Sequence, residues 1–276
     1  MKKEKIGQEN IIFTEELLQK LHRVQLEMLK DLDMFCEEYQ IRYCLSSGTL
    51  LGAVRNKGFI PWDDDVDVSM PRDDFEKFLS LKEKLPDKYV CQATRFNQRF
   101  PLTVAKLQKK GTVLKEPSMA HLDINHGVWI DIFPLDRVRN ANKTLDKRAH
   151  YQQLLKSAIA YHLKVFCPGS FLGRLKCKML AVFGVSCLDK WRTRVMTSEE
   201  DSGGNMLTSF ASGLGYRKLL FEEAVYYPLK KIPFEDTELY VPCDYDKWLS
   251  SAFGDYMTPL PLDKQVNKHP IVEIKL

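Results

Sequence analysis

The sequence predicts an α/β fold: a small mixed sheet flanked by helices, followed by a basic helical segment and a loop-rich C-terminal part. Three observations predict it. Leucines and other apolar residues recur at helical spacing from Leu17 to Phe35. Two short β-branched runs, Val66–Val68 and Val128–Phe133, alternate apolar side chains with aspartates in the period of a strand. Prolines then crowd the C-terminal part at Pro228, Pro233, Pro242, Pro259, Pro261 and Pro270. With 44% hydrophobic and 28% charged residues in 276, the chain can bury a core without staples. That balance excludes a disordered tail, a collagen-like fibre and a disulfide mini-protein.

Taken in order, Thr14 before Glu15 and Glu16 marks a helix start, with acids at the positive end of the dipole. The periodicity carries that helix to about Tyr39. Ile41 to Leu45 reads as a strand, broken by Ser46-Ser47-Gly48-Thr49, and a short helix is expected from Leu50 to Arg55. Lys57-Gly58 and Pro61 make a turn. After the Val66–Val68 strand, Pro71 opens a helix with Asp73 and Asp74 in its first turn. Strands are expected at Tyr89–Ala93, Leu102–Leu107 and Val128–Phe133, helices from about Asn142, and loops at Cys167–Ser170, Gly203-Gly204 and Gly213–Gly215. The C-terminal part reads as loops with short helices.

The N-terminus, MKKEKIGQEN, is basic without an apolar core, so a cytoplasmic location is expected. The seven cysteines contain no C-x-x-C pair and read as reduced thiols without a zinc site. No apolar stretch approaches the roughly 20 residues of a membrane span. Charge is uneven. Arg137 to Arg194 holds thirteen Lys and Arg against Asp146 and Asp189, a balance of +11, and the rest of the chain must sum to −7 to give the net +4. A solvated helical face, an anionic membrane or lipid-linked phosphate, and nucleic acid all fit such a stretch. From His162 to Arg194, bulky apolar residues are mixed with Arg174, Lys176 and Lys178, which suits a membrane interface or the protein's own core.

The chemistry points to the acidic strands. In Asp63-Asp64-Asp65-Val66-Asp67-Val68, strand alternation puts Asp65 and Asp67 on one face and the valines on the other. Two carboxylates roughly 5 Å apart repel by about 3 kcal/mol at an effective dielectric near 20. Such a pair on a strand suggests a bound cation, and oxygen ligands alone suit Mg²⁺ or Mn²⁺; a solvated acidic turn is the plainer reading. An EF-hand fails on the same residues, because Val68 stands where glycine is needed and Asp74 where glutamate is. Asp131, between Ile130 and Ile132, is a second strand carboxylate that needs a partner. If the two strands pair, Asp131 meets Asp65 and Asp67, and three carboxylates can hold metal or take a proton from an attacking hydroxyl; otherwise Asp131 caps a turn. Ser46-Ser47-Gly48-Thr49 at a helix start offers an anion cradle, to which Arg55 and Lys57 would add positive charge, although each is an ordinary surface cation in isolation. Together these elements fit metal-dependent phosphoryl or nucleotidyl transfer.

The run SSGTLLGAVRNKGFIPWDDDVDVSMPRDDFEKFL, Ser46 to Leu79, resembles the signature of the LicD family of phosphotransferases, which are similar to fukutin-type enzymes and belong to the nucleotidyltransferase superfamily. Val104–Leu107 with Thr112, Gly127–Asp136, Pro233–Glu235, Val241-Pro242 and Phe253–Met257 through Lys264-Gln265 are similar to later family blocks. The resemblance implies a nucleotidyltransferase-type sheet, with a catalytic core at residues 1–136 and residues 137–276 completing the same domain. It implies transfer of a phospho-alcohol, typically phosphocholine, from a CDP-activated donor such as CDP-choline to a hydroxyl of a cell-surface glycan or its lipid-linked precursor, releasing CMP. No nucleic-acid partner is expected, and peripheral contact with the inner membrane face is open. Carried onto this chain, Gly48 and Thr49 face the donor phosphates, and Asp65, Asp67 and Asp131 bind the metal, with Asp131 as base. Lys106 and Lys264 contact phosphate, and Trp62 stacks on the base, cages a quaternary ammonium, or packs beside Pro61. Three departures stand out: Ser47-Gly48 replaces a glycine pair, Lys264-Gln265 stands where an arginine is common, and a histidine pair is reduced to His269. Two rivals are a nucleotide-sugar glycosyltransferase using Asp65-Val66-Asp67, and a catalytically inactive glycan- or membrane-binding module.

Overall fold

A computed structural model describes residues 10–139, 141–198, 203–267 and 269–276. The basic N-terminal run, residues 1–9, lies outside them. Helix α1 (Glu15–Glu38) is capped as expected, the Thr14 hydroxyl accepting from Leu17 N at 3.2 Å. It buries Leu18, Leu21, Met28, Leu29, Leu32 and Phe35 on one face. Strand β1 (Cys44–Leu45) leads straight into α2 (Ser47–Asn56). That helix begins three residues earlier than its apolar pattern suggests, so the Ser-Gly-Thr segment is its first turn. Strand β2 (Asp67–Pro71) runs into α3 (Arg72–Ser80), with Asp73 and Asp74 in the first turn as predicted.

Strands β3 (Tyr89–Gln92), β4 (Ala105–Lys109), β5 (Val113–Lys115) and β6 (Trp129–Val138) follow. The helical segment is α4 (Lys143–His162), α5 (Phe171–Ala181) and α6 (Gly184–Met196). Then come β7 (Met206–Thr208), β8 (Phe221–Glu222), α7 (Glu223–Tyr226), β9 (Lys230–Phe234), β10 (Thr237–Val241), α8 (Tyr245–Phe253) and β11 (Glu273–Lys275).

The main sheet is mixed and has seven strands. Its path is β1-β2-β6-β4-β3, and β7 and then β8 extend it from the far half of β6. β2 and β6 are parallel; the other pairs are antiparallel. Residues after 136 share the main core, because Phe221, Phe234, Leu239 and Trp248 cluster with α1 and the sheet. The helical segment has a small core of its own, built on Leu155, Ile159, Val185 and Leu188.

Several strand boundaries differ from the sequence reading, β6 among them, which runs to Val138 and not to Phe133. The strand expected from Ile41 narrows to Cys44–Leu45, and the one expected at Leu102 starts at Ala105, because pairing with β2 and with β3 and β6 sets those ends. Asp65 and Val66 precede β2, although the alternation holds: Val66 and Val68 are fully buried. The C-terminal part is more regular than its prolines suggest. β9 and β10 form a hairpin across Glu235-Asp236, with Glu235 at φ 54°. Pro233 is tolerated because this is a two-stranded sheet in which neither strand is central.

Candidate active site

The two acidic strands are neighbours. β2 and β6 pair in parallel with Asp67 opposite Asp131, and Asp131 N donates to Val66 O at 2.8 Å. On the other side of β6, Lys106 of β4 stands opposite Asp131. The N-terminus of α2 abuts the same place: Ser46 N donates to Asp67 O at 3.0 Å, and Asp67 N donates to the Thr49 hydroxyl at 2.9 Å. The run before β2 is clamped by α1, from which Gln25 Nε2 donates to Asp64 O at 2.9 Å and His22 Nε2 lies 2.8 Å from Asp63 O. Residues 205 positions apart then meet, as His269 N and Nδ1 reach the buried Asp64 carboxylate at 3.2 and 3.0 Å.

The electrostatics are those of crowded carboxylates. Burial, then the charges of Asp65 and Asp131, hold the Asp67 carboxyl well above its usual range; the Ser47 hydroxyl, hydrogen-bonded to it, works the other way. Burial pushes Asp131 up to about 6 against the opposing pull of Lys106. Asp131 Oδ2 accepts from Trp129 Nε1 at 3.0 Å, while its buried Oδ1 has no hydrogen-bond partner and lies 3.9 Å from Lys106 Nζ. Burial works against a charge on His269, but the hydrogen bond to Asp64 and the charge of Asp65 outweigh it and raise the imidazole to about 9.

This donor set fits a divalent cation. It is made of carboxylate oxygens, it carries an orphaned buried Oδ1, and its members resist ionising in the cation's absence. A second grouping shares Asp65: one ligand atom each of Asp64, Asp65 and His269 lie within 4.8 Å of one another.

Gly48 is where the cradle tightens. A Cβ there would sit 2.5 Å from Asp63 Oδ2, so only glycine lets that carboxylate lie on the helix's first turn. Ser47 has φ 49°, a left-handed conformation that suits glycine, which gives a physical reason for the glycine pair of the resembling family. Thr49 is buried with its hydroxyl engaged by Asp67 N, so it ties α2 to β2. Lys106 is also buried, with its ammonium 3.6 Å from the centre of the Trp129 ring and 3.4 Å from Glu116 Oε2, and it neutralises Asp131 from the side.

The remaining predicted residues are Arg55, Lys57, Trp62 and Lys264. Arg55 and Lys57 sit at the far end of α2, about 10–14 Å along its axis from Gly48. Arg55 Nη1 donates to Tyr256 O at 3.2 Å, and Lys57 is the left-handed C-cap. Trp62 is half-buried just before the acidic run, and Lys264 is exposed in a short 3₁₀ turn. Sequence reasoning gave no role to Trp129, Glu116 or the Asp64–His269 pair. Ser47 had entered only as the non-glycine member of the cradle, and His269 only as what remains of a histidine pair.

The fold and site define a class: an α/β protein whose mixed sheet sets aspartates opposite each other on parallel strands beside a glycine-bearing helix start. Residues 40–170 match the family model described as LicD/FKTN/FKRP, nucleotidyltransferase domain. The lipopolysaccharide cholinephosphotransferase LicD of Haemophilus influenzae is 27% identical over 276 aligned residues, spanning 92% of this chain and 97% of that protein. An uncharacterised protein of Rickettsia prowazekii is 44% identical over 60 residues, 22% of this chain and 21% of its own length. The chain is thus similar to the LicD family over residues 40–170, and to this LicD cholinephosphotransferase over nearly its whole length.

Proposed function

We propose that this protein transfers phosphocholine from CDP-choline to a hydroxyl of a cell-surface glycan or its lipid-linked precursor, releasing CMP. The observation that carries the reading is the register of β2 on β6, which sets Asp67 opposite Asp131 beside the first turn of α2. The family match and the cholinephosphotransferase relative support the substrate class.

In this reading the donor's diphosphate lies near the N-terminus of α2, where the helix dipole favours negative charge. Asp65, Asp67 and Asp131 would hold Mg²⁺ or Mn²⁺, which when bound neutralises charge on the diphosphate. The acceptor hydroxyl attacks the phosphorus that bears choline. A new O–P bond forms as the bond to the CMP oxygen breaks, and CMP departs with that electron pair. Asp131, whose Oδ2 is fixed by Trp129, is the candidate base for the hydroxyl proton. Lys106 offsets the charge of Asp131 before the proton arrives. The free thiols are consistent with a reducing cytoplasm as the setting.

The test is thermal stabilisation by CDP-choline, CDP-ethanolamine, CDP-glycerol, CDP-ribitol, UDP-glucose and CTP, each with and without Mg²⁺ or Mn²⁺. A ligand at a hundredfold above its Kd should add about 2.7 kcal/mol. Stabilisation by CDP-choline only when metal is present is the expected result. A preference for UDP-glucose would transfer the site to glycosyl chemistry, and silence across the panel would favour a binding module.

A further inference from the structure

We propose that α5 docks this protein on the surface of an anionic phospholipid bilayer, a property independent of the reaction proposed above. On α5 only Cys177 is buried. At 3.6 residues per turn, Phe171, Leu175 and Met179 share one stripe with Val182 just past the helix end, and Leu172 lies beside it, all on the side away from Cys177. These five side chains are 43–83% exposed. Lys178 and Arg174 flank one edge of the stripe and Lys176 the other, all exposed. The face that α5 turns to the protein is thus narrow, and the face it turns outward is apolar with basic borders.

That arrangement matches an interfacial helix. The apolar stripe enters the headgroup–acyl boundary while long basic side chains reach lipid phosphates. A contiguous apolar face on a soluble surface marks an interaction site. Charge complementarity selects the partner, since residues 137–194 carry +11 and an anionic leaflet attracts such segments. Phe183 and the partly exposed Trp191, with ring centroids 5.0 Å apart, extend the patch past the helix end and place an indole where interfaces favour one. Attachment is peripheral, because α5 has eleven residues and no helix among the described residues is long and apolar enough to cross a membrane.

The test is flotation of the full chain with vesicles of phosphatidylcholine alone or mixed with phosphatidylglycerol. The expected result is binding to the anionic vesicles only, weakened by salt. The double variant Leu175→Asp, Met179→Asp should lower that binding about tenfold or more with an unchanged circular-dichroism spectrum and melting midpoint. Lys176→Gln with Lys178→Gln should lower it and flatten its salt dependence. Wild-type protein that stays in solution with anionic vesicles, or binds neutral ones equally well, overturns the proposal. So does a wild-type dimer, seen by light scattering, that the Asp variant splits while vesicle binding is absent; the face would then be a contact between copies of the chain.

Discussion

Asp131→Asn should stabilise the metal-free protein at neutral pH and do little in acid. The carboxyl titrates at about 6 in the fold against an ordinary value of 3.8. A raised carboxylate pKa means that the folded state binds the proton more tightly than the unfolded state. Stability is therefore highest below the unfolded value and falls as pH rises through the folded one. At 1.36 kcal/mol per unit, the group costs about 1 kcal/mol at pH 4.5 and about 3 kcal/mol at pH 7.5. Asparagine keeps an oxygen for Trp129 and never ionises, so it removes that cost. The expected gain at pH 7.5 is about 3 kcal/mol, or roughly 5 °C in melting midpoint for a chain of this size. Urea melts in chelator at the two pH values measure it. Adding Mg²⁺ or Mn²⁺ should then stabilise wild type more than the variant. A variant that is less stable than wild type at pH 7.5, or whose stability difference does not change with pH, refutes the assigned burial cost.

Other perturbations separate holding the site from using it. Gly48→Ala should abolish turnover with a loss of stability under about 1 kcal/mol, because the clash falls on the end of the Asp63 side chain, which can swing aside only by leaving the cradle; paired activity and melting measurements check it. Thr49→Val leaves Asp67 N buried without an acceptor and should cost about 1–3 kcal/mol by urea denaturation. His269→Ala takes the imidazole from the buried Asp64 and leaves it the backbone N–H of residue 269, and should cost about 1–3 kcal/mol near pH 7. In wild type the charge-linked stability from His269 is complete below its unfolded pKa and fades as pH rises through about 9, so the stability curves of the two proteins should draw closer above that pH.

Period-two alternation made the acidic strands legible, because Val66 and Val68 had to face a core and so sent Asp65 and Asp67 the other way. It could not supply their register. Asp67 and Asp131 are joined through 63 intervening residues, and no local pattern says that β2 and β6 pair directly and in parallel. Distance also hid His269, which meets Asp64 across 205 positions. The resemblance implied Lys106 as a phosphate contact; its burial over Trp129 depends on β4 lying against β6, which no local pattern shows. The β9–β10 hairpin was masked by Pro233, which a two-stranded sheet accepts and a central strand would not. The exposed side of α5 is a further case: its apolar residues are legible as amphipathic, but only packing at Cys177 shows that the apolar stripe faces outward.

The most direct measurement is product identity. Purified protein is incubated with CDP-choline, Mg²⁺ and a glycan acceptor bearing free hydroxyls, and nucleotide products are resolved by chromatography. Release of CMP matched by phosphocholine on the acceptor, lost in Asp65→Asn and in Asp131→Asn while both variants remain folded, is the predicted result. Pyrophosphate release, or CMP formation that persists undiminished in both variants, would contradict a transferase centred on these carboxylates.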